Sequence, residues 1–395
     1  MPVPEPAPSL PRGYQLPDHL RLLQSTVRDY IQREIIPLER ELDPDAFELP
    51  RPEYERLCKA TRKNGIWCMD APRNVGGGGL DCFSYTVAQE EMVQHRNGLY
   101  GAGYGTFGLP PPPVMYEGTT EQIERYVRPT IAGARRSFIA ITEPSGGSDP
   151  ARAIQTRARR DGDDWMLSGE KVFVTGGLQA DYGIVFARTD PARGRQGLTC
   201  FIVEKGTPGV SVRPMPVLRP YYPAQIVLQD VRVPSRNVLG EVNGGWNILA
   251  HKVLARERIP YSAASLGVAV TAQRMAVSYA RQRSTFGQPL AQRQAIQWML
   301  VESDIEIRAC RWLVWEAAWA FDRGEDFGHQ ASAAKVYSSE ALGRVVDRAV
   351  QVHGAYGVSK DLPLERWYRE ARIRRIGEGP NEVLRMVISR YLLGG

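Results

Sequence analysis

From about residue 16 to residue 134 the apolar positions recur at helical spacing between polar loops, as in the amphipathic segment Leu20 to Leu38, with Pro37 and Pro44 as punctuation. The texture changes between about Arg135 and Leu239 to short apolar runs, Phe138 to Thr142, Val172 to Thr175, Ile184 to Ala187, Cys200 to Val203 and Ile226 to Leu228. Runs of this kind, bounded by glycine and proline, predict strands, with Asp161 to Asp164 as a turn between two of them. After Gly245 the helical period returns over roughly 246–283, 291–323 and 328–354, with shorter segments beyond Pro363 and Pro380. Ile296, Leu300, Ile307 and Val314 share one helical stripe, which suits a bundle core.

The pattern therefore predicts an α+β chain, mainly α, in three parts: an N-terminal helical domain (1–134), a middle β domain (135–240) and a C-terminal antiparallel four-helix bundle (241–395). Strands and helices do not alternate and no GxGxxG follows a strand, which argues against a doubly wound nucleotide-binding unit. Gly76 to Gly79 lacks a following GK[ST] and reads as a flexible surface turn, and Pro110 to Pro113 reads as a stiff loop.

Composition narrows the classes. At 395 residues and 43% hydrophobic content the chain can bury real cores. Its net charge of +6 is dispersed without a basic block, which argues against nucleic acid and leaves room for a phosphate-bearing ligand. Five cysteines, odd in number and far apart, suggest neither a disulfide framework nor a thiolate metal site, and the five histidines form no HExxH cluster. Met1 to Leu10 lacks a signal-peptide pattern and no apolar run approaches a membrane span, so the expectation is a cytoplasmic protein without membrane insertion.

The most informative segment is Ala140-Ile-Thr-Glu-Pro-Ser-Gly-Gly-Ser-Asp149, an apolar strand running into a turn rich in glycine and hydroxyls that can present N–H and O–H donors to a ligand. It closely resembles the first signature of the acyl-CoA dehydrogenase family. A second segment, Gln351 to Asp361 followed by Arg366 and Glu370, resembles the family's C-terminal signature, with Ala355 in place of the second glycine of the usual pair. Further likeness runs through Gly77 to Asp81, Lys171 to Gly177, Arg283 to Gly287 and Ile376 to Arg385.

The resemblance implies FAD, an acyl-CoA substrate and removal of a proton and a hydride from the α and β carbons. It implies that Ile139, Ile141 and Thr142 meet the flavin, that Ser148 lies beside the pyrophosphate or the thioester, and that Phe173 and Thr175 stand where the family has Trp and Thr against the ring. Taken without its flanking match, Phe173 reads as an ordinary core residue. Arg283, Thr285, Phe286, Gln294, Gln351, Gly354 and Ala355 match positions that reach the FAD of a neighbouring subunit, so a homodimer or homotetramer is implied. Pro380 and Glu382 complete the cofactor set, while Arg258 and Gly379 join Ser148 on the substrate side. An electron-transferring flavoprotein is the implied acceptor.

Two glutamates can serve as the base. Glu378 in Ile376-Gly-Glu-Gly-Pro380 matches the common loop position, and Glu257 in Ala255-Arg-Glu-Arg-Ile259 matches a helix position used by a minority branch. Glu378 is favoured, although Gly377 replaces the usual Tyr and Pro380 the usual Thr. The alternative for Glu257 is a salt bridge with Arg256 or Arg258. The competing functions are an enoyl thioester reductase, a dehydrogenase of carrier-tethered acyl groups, and a flavin-bearing binding protein without catalysis.

Overall fold

The computed structural model describes residues 15–394, so the signal-peptide reading of Met1 to Leu10 lies outside the described residues. The described residues divide into two compact units, one of residues 64–80 and 108–256, the other of 15–63, 81–107 and 257–394.

The first unit is built on an eight-stranded sheet of β1 (Ser137–Ala140), β2 (Arg157–Asp161), β3 (Asp164–Val174), β4 (Tyr182–Arg188), β5 (Leu198–Glu204), β6 (Val210–Pro214), β7 (Ala224–Pro234) and β8 (Val238–Leu239). Its order is β6-β7-β3-β2-β4-β5-β8, with β1 paired to β4. β1 and β2 run parallel to β4 and the other pairs are antiparallel. Phe138 and Ala140 point into the core, together with Trp165, Leu167, Val185, Phe201, Ile226 and Val231. Strand alternation therefore turns Ile139 to the opposite face of β1. The expected turn at Asp161 to Asp164 is the β2–β3 hairpin, with Gly162 at φ 61°. β2 and β6 were not among the expected strands: their sequences, RARRD and VSVRP, carry charge on exposed positions and lack an apolar run.

Gly76 to Gly79 is not a loose turn. A Cβ on Gly77 would lie 2.2 Å from the Ala71 carbonyl oxygen and one on Gly78 2.8 Å from that of Met69. The amides of Gly78 and Gly79 donate to Cys68 O and Ala71 O, so close backbone packing rather than mobility demands the glycines.

The second unit is helical. Its long elements are Ala255–Gln282, Gln294–Asp322 and Gly328–His353, followed by Leu364–Arg374 and Asn381–Leu393. Ile307 and Val314 are buried as the stripe predicts, with Ser303, Cys310 and Ala317 beside them, whereas Ile296 and Leu300 are half-buried nearer the helix start. Gly267 lets this unit close tightly, because a Cβ there would meet Glu90 O at 2.2 Å. Asp18–Tyr30, Arg51–Lys63 and Cys82–Met92 belong to the same unit, and Asp322 accepts hydrogen bonds from the Cys82 and Phe83 amides at the start of the last of these. All five cysteines are buried and free. Among the described residues no helix is long and apolar enough to cross a membrane, and no cluster of three or more metal-ligating side chains occurs.

Candidate active site

In the sheet unit the two segments singled out for a flavin are brought together. The Val172 amide donates to Thr142 O at 2.9 Å, and Lys171 Nζ donates to Ile141 O at 3.1 Å, which ties the exit of β1 to the end of β3. What holds the signature turn is a buried ion pair. Glu143 Oε1 lies 2.7 Å from Lys171 Nζ and also accepts from Thr156 Oγ1 at 2.6 Å, while its other oxygen accepts from the Gln155 amide. Burial alone would raise the Glu143 carboxyl, but the Lys171 charge and these hydrogen bonds outweigh it and hold the group below its ordinary value. Burial lowers the Lys171 ammonium to about 8 even with Glu143 beside it.

Phe173 is not a core residue. It is 58% exposed and sits at φ 56°, where a bulge interrupts the β3–β7 pairing between Lys171 and Val174. A left-handed non-glycine residue costs on the order of 1–3 kcal/mol, and here the bulge turns an aromatic ring outward that regular pairing would not. Thr142 is half-buried, whereas Ser148 and Thr175 are exposed, with Thr175 Oγ1 accepting from Arg219 at 3.1 Å. The two joined segments thus carry one exposed aromatic ring, Phe173, and three hydroxyls, Thr142, Ser148 and Thr175, with Ile139 half-buried on β1.

In the helical unit the strongest constellation surrounds Glu378. The residue is left-handed at φ 57° and the next, Gly379, at φ 91°. Arg258 Nε donates to Glu378 O at 3.3 Å, and Lys335 Nζ donates to Gly379 O at 2.7 Å and to Asn381 Oδ1 at 2.9 Å. Burial pushes the Glu378 carboxyl above the ordinary carboxylate value and the nearby Glu257 charge adds to the rise, against Arg258, Arg374 and Lys335. Burial, with the Arg374 charge beside it, brings the Lys335 ammonium down to about 7. Arg374 is buried beneath the Tyr261 ring, 3.1 Å from its centroid, and donates to Leu99 O and Ser265 Oγ. Glu257 and Tyr261, four residues apart on one helix, face the same side.

Arg256 lies 3.0 Å from Asp70, and buried Arg258 reaches the Glu378 carbonyl and Ser332. Pro380 sets φ −55° ahead of the last helix, and Glu382 stands in its first turn. Residues matched to a neighbouring subunit's cofactor lie on the surface: Arg283, Gln294, Gln351, Gly354 and Ala355 are exposed, Thr285 is half-buried, and Phe286 is 97% exposed at the tip of a two-stranded hairpin, β9 (Ser284–Thr285) with β10 (Gln288–Pro289). Arg366 and Glu370 in the second signature form a fully buried pair, with Arg366 also donating to Ala46 O and Pro44 O, so they anchor the fold.

Sequence reasoning missed three residues that organise these regions: Lys171, Lys335 and Arg374. For Lys171 and Lys335 the signal is a lysine among apolar strand or helix positions, because a buried ammonium needs partners, whereas Arg374 sits in a run of arginines that offers none.

The sheet unit carries the segments singled out for a flavin, and the helical unit carries the Glu378 carboxyl with its raised proton affinity. Three family models cover nearly the whole chain: the acyl-CoA dehydrogenase N-terminal domain over residues 17–134, its middle domain over 138–231 and its C-terminal domain over 243–393. The chain belongs to the acyl-CoA dehydrogenase family, and with that family it shares a flavin cofactor. It is 38% identical over 376 residues to the 3-(aryl)acrylate reductase of Clostridium sporogenes, covering 94% of this chain and 98% of that one. It is 34% identical over 383 residues to the caffeyl-CoA reductase-Etf complex subunit CarC of Acetobacterium woodii, covering 94% and 98%. The solved butyryl-CoA dehydrogenase of Megasphaera elsdenii superposes with TM-score 0.86 at 32% identity, covering 96% of this chain and 99% of that one.

Proposed function

We propose that this protein is an FAD-dependent acyl-CoA dehydrogenase in which Glu378 takes the α proton of the thioester. The observation that carries the assignment is the position of Glu378: a strained loop carboxyl whose carbonyl is fixed by Arg258 and whose affinity for a proton is raised by burial and by Glu257. An α proton of a thioester is weakly acidic, so the base must be both strong and held still. A raised pKa supplies the first and a pinned loop the second. Ile139, Ile141, Thr142, Ser148, Phe173 and Thr175 form the flavin surface of the sheet unit, and Arg283, Thr285, Phe286, Gln294, Gln351, Gly354 and Ala355 serve the cofactor of a neighbouring subunit. Pro380 and Glu382 join the cofactor set, and Ser148, Arg258 and Gly379 stand on the substrate side. Bound FAD supplies the two-electron acceptor for the hydride leaving Cβ.

The surface residues support a homodimer or homotetramer, because an aromatic hairpin tip and an exposed arginine are poor places for a cofactor unless a second chain covers them. The family and the Etf-complex relative support an electron-transferring flavoprotein as acceptor. A second reading, reduction of an aryl-substituted enoyl thioester, is favoured by the similarity to the caffeyl-CoA reductase subunit, and the similarity to a 3-(aryl)acrylate reductase supports the reductive direction.

The test is anaerobic mixing of the yellow protein with acyl-CoAs of graded length and with 3-arylpropanoyl-CoA. Flavin bleaching by a saturated thioester supports dehydrogenation. No bleaching by any of them, with reoxidation of reduced flavin by an arylacryloyl thioester, moves the chain to the reductase reading.

A further inference from the structure

We propose that Lys335 is a positioning residue for the proposed base, forming with Arg258 a two-point clamp on consecutive carbonyls that holds the Glu378–Gly379 turn in its left-handed conformation. The inference rests on the reading of Glu378 as base and goes beyond it, since it assigns a task to a buried lysine outside the candidate base and cofactor sets.

The geometry is specific. Glu378 O receives Arg258 Nε at 3.3 Å, and Gly379 O receives Lys335 Nζ at 2.7 Å. The two donors come from different helices, Ala255–Gln282 and Gly328–His353, so the turn is bridged to two rigid supports. Lys335 is fully buried, and its second bond, to Asn381 Oδ1 at 2.9 Å, links the turn to the first residue of the next helix. Asn381 is itself fixed, its amide donating to Ser339 Oγ and Glu340 Oε1 at 3.0 Å each. Two left-handed residues in succession are a conformation the chain leaves unless held. Both carbonyls point toward cations, so the backbone has no free rotation about this peptide.

The clamp has an electrostatic side. Glu257 and Arg258 from helix Ala255–Gln282, Arg374 from helix Leu364–Arg374 and Lys335 from helix Gly328–His353 all act on the Glu378 carboxyl, and Glu382 acts on Lys335. A neutral amine still donates two hydrogen bonds, so loss of the Lys335 proton preserves both contacts while removing a positive charge that favours ionised Glu378.

The experiment uses FAD-loaded full-length protein with an acyl-CoA that bleaches the wild-type flavin, in single turnover from pH 5.5 to 9. Lys335→Met removes both bonds and the charge; Lys335→Gln keeps a donor and loses the charge. Expected for Lys335→Met are flavin content and acyl-CoA affinity within about twofold of wild type and a reduction rate about 100-fold lower, the scale set by small misplacements of a reacting group. Lys335→Gln is expected to recover at least tenfold of that loss while its acid limb moves to higher pH. Wild-type rate and an unmoved acid limb in either variant overturn the proposal. So does a parallel loss of flavin and acyl-CoA binding in Lys335→Gln, which marks a merely structural lysine. If Lys335→Met fails to fold, Lys335→Gln alone decides through its acid limb. Glu378→Gln is run alongside: if it reduces flavin at the wild-type rate the base assignment fails, whereas an inert Glu378→Gln beside an unaffected Lys335→Gln rejects only the clamp.

Discussion

Gly377 and Tyr261 compete for one space: a Cβ on Gly377 would lie 2.8 Å from the Tyr261 hydroxyl oxygen and 3.5 Å from the ring carbon that bears it. The ring cannot step aside freely, because Arg374 packs against it at 3.1 Å and Lys335 Nζ stands 6.0 Å from its centroid. The sequence departs from the family's usual Tyr at 377, and a tyrosine on the neighbouring helix fills the volume beside that position. Gly377→Ala should therefore destabilise the loop by about 1–3 kcal/mol, the usual cost of overpacking. Adding Tyr261→Phe, which removes only the clashing oxygen, should return most of it. A double-mutant cycle on the thermal unfolding midpoint checks this, and purely additive effects would show that the two residues do not share the space.

The layout of helices, sheet and helices was legible because apolar periodicity switches from 3.6 to 2 and back at about Arg135 and Gly245. The signature turn was legible as a polar, glycine-rich turn leaving a strand, but the reason for its glutamate was not. Glu143 answers a lysine twenty-eight positions away, and a pair of that separation leaves no local pattern. Arg366 and Glu370 were quoted as part of a signature, yet only the fold shows that they are buried against Pro44 and Ala46. The outward turn of Phe173 was not readable from its apolar run alone, because a bulge reverses the side of the sheet on which a residue stands. The carbonyl contacts of Lys335 and Arg258 depend on backbone orientation, which side-chain chemistry along the chain does not encode.

For the base, the flavin reduction rate should rise with pH as Glu378 ionises, with an acid limb above the ordinary carboxylate value because burial and Glu257 raise it. Glu257→Gln removes a negative charge near Glu378, which eases ionisation, so the limb should move to lower pH with most of the plateau rate retained. Glu378→Gln should keep FAD and bind acyl-CoA while losing reduction by several orders of magnitude. Anaerobic stopped-flow bleaching of both variants checks the pair, and the reverse ranking would give the role to Glu257.

The Glu143–Lys171 pair should be the foundation of the flavin surface in the sheet unit. Lys171→Met leaves a buried carboxylate without its cation, which typically costs about 3–5 kcal/mol. Flavin release should accompany the lower denaturation midpoint, since Lys171 also holds Ile141 O. Because Glu143 titrates below its ordinary 4.5 in the folded chain, its stabilisation is present above that value and is lost as pH falls through the lower, folded one. Wild type should thus lose its advantage over Lys171→Met on acidification. An advantage that persisted unchanged at every acid pH where both proteins stay folded would contradict this.

The last prediction concerns Phe286. Its ring stands 97% exposed at φ 51° on the tip of the Ser284–Thr285 and Gln288–Pro289 hairpin, 5.5 Å from the Arg293 guanidinium. Burying a phenylalanine is worth about 1.5–3 kcal/mol, so a chain that fixes one outward in a left-handed conformation gains nothing unless another surface receives it. Arg283 at the start of the same hairpin is exposed as well. Elsewhere in this unit the helix Gln294–Asp322 carries a second exposed stripe, Trp298, Val301, Ile305, Trp312 and Trp319, spaced at three, four and seven residues as one helical face requires. The two features separate two effects. Phe286→Asp should weaken both subunit association and FAD retention, whereas Arg283→Ala should weaken FAD retention by about 1–3 kcal/mol, the worth of a charge-assisted hydrogen bond, with the oligomer intact. If the stripe is a subunit contact separate from the hairpin, Trp312→Glu should lower the assembly's mass and leave FAD bound. Sedimentation velocity with the flavin absorbance as a second channel reads mass and cofactor together. A wild-type monomer that carries FAD would show that the hairpin completes no neighbouring site.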